Sequence, residues 1–357
     1  MRKLKLFKDR DFIEDKDGYM FCVVGYVHPP DRVLAYLKYV PSRKKTIWYR
    51  ESVGYRRILK YYSSVAVLDS MRLLSKTKPN YIYYDNYFNI KFIGVPKSEI
   101  RKHYIPEGKL KEIINKPSRD PLEQDLVELV NYLSEISDIN LKYFGISGSI
   151  LLNIHNPKYS DIDLMVYGRD NSFKLLGIIN QAVNEGVISL PDKRMLETWS
   201  YEVSKHHPLT PKEAMRLYVE RKTRLVFKGK RVFSLHPARL DNEILENYGD
   251  KIYVPICLAK IKGTVKDDSD SLFLPATYIV DDVEIIEGDF EGEIYEVTTF
   301  EGLYSALLKE GEEFIAYGKV EKVIETRTGK TYYRLVIGSA EAKGKDYIKP
   351  IKWLKGG

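Results

Sequence analysis

Asp161 and Asp163 stand two residues apart in DIDLMVY, a run that is otherwise apolar. On a strand this spacing projects both carboxylates from one face and turns Ile162 and Leu164 to the opposite layer. Carboxylates held side by side raise the cost of ionising one another, so the pair needs a cation. Ligation by oxygen alone, with room left for waters and substrate phosphates, is how Mg²⁺ is usually held, and Mn²⁺ accepts the same donors. Upstream, Ser147-Gly148-Ser149 makes a turn of small residues before ILLNIHN, which reads as a short helix. Such a turn, feeding a helix N-terminus, offers backbone N–H groups and a hydroxyl to a phosphate.

These residues need a scaffold, and a chain of 357 residues is long enough for two or three domains. The pattern divides it into an amino-terminal mixed α/β unit (residues 1–117), a middle unit (118–250) and a carboxy-terminal β unit (251–357). In the first, DFIEDKDGYMFCVVGYVHP carries two apolar runs around Asp17-Gly18, a hairpin signal, and NYFNIKFIGVP reads as a strand. RRILKYYSSVAVLDSMRLLSKTK reads as helical over its second half. The middle unit opens with Asp120 as N-cap, Pro121 in the first turn and Glu123 placed to reach back, followed by Leu122, Leu126, Leu129, Val130 and Leu133 at helical spacing. Then come a strand (LKYFGI), the small turn, the DIDLMVY strand, a helix over NSFKLLGIINQAVNE, a basic helix near 211–222 and a strand pair LVFKGKRVFSLHP. From about residue 251 period-2 strands dominate, with a helix expected near TTFEGLYSALLKEG, a layout that fits a small antiparallel barrel of the oligonucleotide-binding type.

The order strand, Gly-Ser, short helix, Ser-Asp-x-Asp, strand in GISGSILLNIHNPKYSDIDLMVYG resembles the signature of the DNA polymerase beta-like nucleotidyltransferase superfamily. The wider layout resembles a group of archaeal predicted nucleotidyltransferases. The resemblance implies an α+β fold with a central mixed sheet, flanked by the amino-terminal domain and the OB-like barrel. It also implies Mg²⁺-dependent transfer of a nucleoside monophosphate from a nucleoside triphosphate to an acceptor hydroxyl. On this chain Gly148, Ser149 and Ser160 would hold nucleotide, and Asp161 and Asp163 would ligate metal. Active members usually add a third carboxylate on a later strand, and at the corresponding place in RVFSLHPAR stands Ser234. Either Asp241 or Glu202 replaces it, or the fold binds nucleotide or RNA without turnover. The lysine-adenylate route of ligases is set aside, because no Lys-x-Asp-Gly occurs.

His236 would share a face with Ser234, whereas His155 and His206-His207 read as structural, and no H-x-x-x-H spacing occurs. Arg216, Arg221, Arg224, Lys228 and Lys230 lie between the aspartates and the Ser234 strand, where they could neutralise triphosphate or steer RNA or DNA. Arg43-Lys44-Lys45 and Arg56-Arg57 are interleaved with Trp48, Tyr49, Tyr55, Tyr61 and Tyr62, and Tyr332-Tyr333-Arg334 could stack on unpaired bases. A formal charge of +7 permits an anionic partner without demanding one. Cys22 and Cys257 form no disulfide framework and no zinc spacing, and read as buried thiols of a cytoplasmic protein. No apolar run approaches a membrane span, and MRKLKLFKDRDF lacks the apolar core of a secretory signal.

Overall fold

The computed structural model describes residues 6–59, 61 and 63–354; Tyr62 and the first five residues of the basic amino terminus lie outside them. It is a mixed α+β structure with three sheets. No described helix is long and apolar enough to cross a membrane.

The amino-terminal sheet is built from β1 (Phe12–Asp15), β2 (Met20–Val23), β3 (Arg32–Ser42), β4 (Trp48–Arg50), β5 (Val53–Arg57), β6 (Ile82–Asp85), β7 (Ile90–Pro96) and β8 (Ile100–Tyr104). The main path runs β4-β5-β3-β2-β1-β8, with β7 joined to β3 and β6 to β7. All its pairings are antiparallel. The β1–β2 hairpin turns at Gly18, which takes the left-handed φ of +80° that the turn requires. Asp15 accepts from the backbone N–H groups of Asp17 and Tyr19, both at 2.9 Å, and so holds the turn.

Alternation then decides which way each residue faces. Ile13, Phe21, Val33 and Leu37 make one core, which Leu74 of α1 (Ser64–Thr77) joins. Phe12, Met20, Cys22 and Tyr39 face the other way and pack against Leu151, Leu152 and Ile154, just after the Gly-Ser turn. The amino-terminal sheet is therefore a wall of the middle unit. The unit ends in α2 (Pro106–Ile114), but Leu110 and Ile113 of that helix pack into the middle core.

The middle unit comprises α3 (Pro121–Ser137), β9 (Phe144–Ile146), α4 (Gly148–Leu151), β10 (Ile162–Tyr167), α5 (Arg169–Asn184), β11 (Ile188–Ser189), α6 (Lys193–Ser204), α7 (Pro211–Arg221), β12 (Arg224–Phe227) and β13 (Arg231–Ala238). The expected capping box is present: Asp120 accepts from the N–H groups of Leu122 and Glu123, and Glu123 accepts from the N–H of Asp120. The apolar stripe of α3 packs with α5 over the sheet. Strand order is β11-β12-β13-β10-β9, and β10–β13 is the parallel pairing.

The third sheet holds β14 (Lys251–Asp267), β15 (Ala276–Glu287), β16 (Ile294–Thr299), β17 (Glu313–Glu325), β18 (Thr331–Ile337) and β19 (Tyr347–Pro350). Because β14 pairs with both β15 and β17, the pairings β14-β15-β16-β18-β17-β14 curl the sheet into a ring. Leu209, Ala214 and Leu217, from α7 and the loop before it, pack into this core. The helix expected near TTFEGLYSALLKEG is absent: only a single 3-10 turn, Gly302–Tyr304, forms there. The backbone bonds of that segment go to the curled third sheet instead. The Tyr278 hydroxyl donates to the Tyr304 carbonyl at 2.7 Å and accepts from Leu307 N–H at 3.0 Å, and Ala306 takes a left-handed φ of +55° that breaks any helix.

Glu301 joins this turn to the amino-terminal unit, accepting from the N–H of Ser64 in the first turn of α1 at 2.7 Å. Burial pushes its carboxyl up to about 7 from an ordinary value of 4.5. A raised acid binds its proton more tightly folded than unfolded, so its contribution is complete below pH 4.5 and is lost as pH rises through about 7. Glu301→Gln keeps the acceptor and removes the ionisation. Thermal unfolding should show the variant gaining up to about 3 kcal/mol on wild type at pH 8 and little at pH 4; parallel curves would show that Glu301 ionises freely in the fold.

Candidate active site

Register across the middle sheet assembles the site. Asp163 of β10 lies beside Ser234 of β13, and Ser234 lies beside Arg224 of β12. On the other side Leu164 pairs with Ile146, which delivers the Ser147-Gly148-Ser149 turn to the edge of β10. His236, two residues beyond Ser234, brings its Nε2 to 3.2 Å from Asp163 Oδ1. The tautomer with hydrogen on Nε2 donates this bond.

The turn is fitted to the carboxylate. Gly148 has φ +65°, and a Cβ built on it would fall 1.9 Å from Asp163 Oδ2, so no side chain fits there. Ser147 N–H donates to the Asp163 carbonyl at 2.9 Å, and Ser147 Oγ donates to the Arg10 carbonyl at 2.7 Å. Ser149 is buried and its hydroxyl donates to Ser160 Oγ at 3.3 Å, while Ser160 Oγ also accepts from Asn156 N–H at 3.0 Å. Both serines thus brace the loop between α4 and β10. α4 is only four residues, shorter than ILLNIHN suggested, and its macrodipole is correspondingly small.

Two cations from the amino-terminal unit belong to this site and were not anticipated. Arg10 precedes β1, and Lys38 is buried in β3 with its Nζ 5.2 Å from the centre of the Phe12 ring. The charges of both act on Asp163. A signal for Lys38 was present: it is the one charged residue between Arg32 and Arg43, within RVLAYLKYV. A buried lysine needs a counter-charge; only the packing of two units shows where that charge lies.

The two aspartates are held in different states. Burial would raise Asp163, but the bond from His236 and the charges of Lys38 and Arg10 outweigh it and hold the carboxyl well below the ordinary range. Asp161 is raised by the desolvating cleft and by the neighbouring Asp163 charge, which Arg224, 3.6 Å away, only partly offsets. His236 is pushed down to about 4 by burial and the Arg10 charge, so it is neutral at pH 7. The pair is thus an ionised, partly shielded carboxylate beside one that opens to solvent, its side chain 42% exposed.

The other sequence candidates divide. Arg221 and Arg224 reach a cavity of about 150 Å³ beside the row, which Arg10, Ser234 and His236 also line. Lys228 and Lys230 do not line it, because they pair with Glu128 at 2.7 Å and Asp125 at 2.8 Å on α3. Arg216 bonds the Trp353 carbonyl at 3.2 Å. Neither proposed third acid joins the aspartates. Asp241 pairs with Lys8 at 2.5 Å and lies past Ala238, the partner of Tyr167 at the far end of β10. Glu202 is exposed on α6, paired with Lys205 at 2.6 Å.

The stacking triplet on the barrel also separates. Tyr333 packs beside Phe290 against the core, while Arg334 is buried, bonded to Glu321 at 2.8 Å and set over the Tyr253 ring. Tyr332 meets Tyr295 edge-on, so alternation leaves one aromatic pair rather than a platform of three. Asp120, Glu123 and His155 do form a cluster of potential metal donors, all within 4.8 Å of one another. Its groups are engaged in the α3 cap, in the Lys116–Glu123 pair and in the 2.7 Å His155–Asp120 bond.

No family model matches the chain, and no solved structure matches it. An uncharacterized protein of Methanocaldococcus jannaschii is 32% identical over 346 residues, which cover 95% of this chain and 98% of that protein. The chain belongs to the family of that archaeal protein.

Proposed function

We propose that the protein transfers a nucleoside monophosphate from a nucleoside triphosphate to an acceptor hydroxyl, with a middle unit of the DNA polymerase beta-like nucleotidyltransferase kind. The observation that carries the reading is the seat of Gly148 against Asp163, with Asp161 two residues away: a turn without a side chain meets paired carboxylates. The donor set fits Mg²⁺ or Mn²⁺. Asp161 and Asp163 offer oxygen alone, the cleft is open at Asp161, and no thiol or free imidazole competes at the pair. Bound there, the ion would neutralise charge on the triphosphate.

The chain's own part is positioning and charge. Asp163, kept ionised, and Asp161 would hold the metal, while Lys38, whose charge acts on both aspartates, supplies positive charge beside the triphosphate. The acceptor oxygen forms a bond to the α-phosphorus, the bond from that phosphorus to the β-phosphate oxygen breaks, and pyrophosphate leaves with the electron pair. The hydroxyl proton passes to water in the open cleft. The five-membered pairing ring supports an OB-like barrel, and exposed Arg43, Lys44, Lys45 and Arg56 beside Tyr49 favour a nucleic-acid acceptor.

Ser234 favours a second reading, a nucleotide- or RNA-binding protein without turnover, since it stands in register with Asp163 where active relatives of this fold carry an acid. Calorimetric titration of the four nucleoside triphosphates, with and without Mg²⁺, tests the first step. Metal-dependent binding of at least one supports the site; none in the wild type would sink the enzyme reading and favour a degenerate fold used for nucleic-acid or protein contacts. Pyrophosphate release with an added acceptor then separates enzyme from binder. Ser234→Asp should tighten Mn²⁺ by about tenfold, because a third carboxylate joins the pair while Arg224 limits the added repulsion; unchanged affinity would show that position 234 does not face the metal.

A further inference from the structure

Arg10, Arg221 and Arg224 line the cavity beside the aspartates, where Asp9 is the one carboxylate on the lining. Arg221 is half-buried and makes three bonds, to Ser305 O at 2.5 Å, Ser305 Oγ at 2.8 Å and Gly302 O at 2.9 Å. Among the described residues it has no carboxylate in ion-pair range. Arg224 approaches Asp161 at 3.6 Å, lies over the Trp199 ring 3.9 Å from its centre and bonds Tyr218, and its Nε is buried without a partner. Arg10 lies 3.8 Å from Asp9, and its charge also acts on Asp163. Asp9 lines the cavity too; one of its oxygens accepts from Gly25 N–H, and its carboxyl, raised by burial to about 6, is ionised at pH 7 and balances one of the three charges. His236 and Tyr218 are the remaining titratable groups on the lining. Three guanidiniums from two segments share one cavity with a single lining carboxylate, and the surplus charge costs repulsion and desolvation unless an anion joins them.

The size and place of the cavity narrow the anion. About 150 Å³ has room for about five waters, enough for a phosphate group. The row Arg224–Ser234–Asp163 puts the cavity on the Ser234 side of the aspartates, whereas Gly148 meets Asp163 from the β9 side. A nucleotide seated on the Gly148 turn therefore leaves the arginines facing what approaches from across the pair.

We propose that Arg10, Arg221 and Arg224 form a phosphate site for the acceptor, so that the hydroxyl to be modified belongs to a molecule that also carries a phosphate group. The assignment of the phosphate to the acceptor rests on the nucleotidyltransferase reading; the anion pocket itself does not. The test is calorimetric titration of inorganic phosphate into the full chain, against chloride at equal ionic strength, with saturating Mg²⁺-nucleotide absent and then present. Saturable binding that persists with nucleotide bound, and weakens about tenfold or more in Arg224→Gln, is the expected result. Thermal unfolding in phosphate-free buffer checks that the variant is folded, and Arg10→Gln provides a second variant with the same expectation. No binding above the chloride control overturns the proposal. Phosphate that competes with nucleotide also overturns it, because the pocket would then be the nucleotide's own. Phosphate binding in a protein that binds no nucleotide with or without metal overturns the acceptor assignment and the nucleotidyltransferase reading together, and leaves the anion pocket standing. An oligonucleotide with and without a terminal phosphate tells the source: a phosphate-dependent gain assigns nucleic acid, and equal affinity with phosphate binding retained assigns a small phosphorylated acceptor.

Discussion

Asp161→Asn combined with Asp163→Asn should abolish the Mg²⁺-dependent part of nucleotide binding, weakening it by more than about a hundredfold. Loss of a group that merely orients a metal ligand costs about 10- to 100-fold, and here both proposed ligands lose their charge. Asparagine is nearly isosteric and retains an oxygen to accept from His236, so the change tests charge rather than packing. The field around the site sharpens the expectation. Arg10 and Lys38 both act on Asp163, and Arg224 lies near Asp161, so a neutral pair leaves a surplus of positive charge that repels any cation. Binding of inorganic phosphate at the arginine pocket should survive or strengthen. If calorimetry shows the metal-dependent part intact, the ion is held elsewhere, and the Asp120–Glu123–His155 cluster becomes the next place to look.

Gly148→Ala should remove the same binding without touching a carboxylate. With φ at +65° an L-residue pays about 1–2 kcal/mol for the left-handed backbone. The larger effect is steric, since Asp163 Oδ2 occupies the place of the Cβ, 1.9 Å from its ideal position. Either the Asp163 side chain swings away and loses His236, or the turn shifts and strains the Ser147–Arg10 and Ser147–Asp163 bonds. We expect thermal unfolding to show a loss of about 2–3 kcal/mol and nucleotide titration to show binding reduced to the level of the double aspartate variant. Ser149→Ala is the matched comparison: it deletes only the bond to Ser160, worth about 1 kcal/mol, and should leave most binding in place. Wild-type affinity in Gly148→Ala would mean that the turn does not contact the nucleotide.

Much of the scaffold was legible because local rules decide it. The Asp17-Gly18 hairpin, the Asp120–Glu123 capping box and the DIDLMVY strand each depend on neighbours a few residues away. TTFEGLYSALLKEG went the other way because Tyr278, 26 residues upstream of Tyr304, takes its backbone bonds, and nothing within the segment announces that. The basic run after Arg216 could not be divided from sequence, since Arg224 on the site and Lys228 on α3 sit four residues apart on one strand and its turn.

By itself the sequence determined the ingredients of the site that lie within one local unit: a small-residue turn, a short connection, and two aspartates two residues apart on a strand. Alternation on that strand is a property of the backbone, so it holds whatever surrounds it. Tertiary structure alone decided the charge around them. Arg10 and Lys38 come from a sheet more than 100 residues away, and Ser234 meets Asp163 through a parallel pairing that only the completed middle sheet creates. The glycine was visible, but not the carboxylate oxygen that forbids any other residue there. Electrostatic interaction falls with distance through space and is blind to distance along the chain. The chemistry of the paired aspartates was therefore readable in a few adjacent residues, and their protonation, their cations and the pocket beside them were set by the fold.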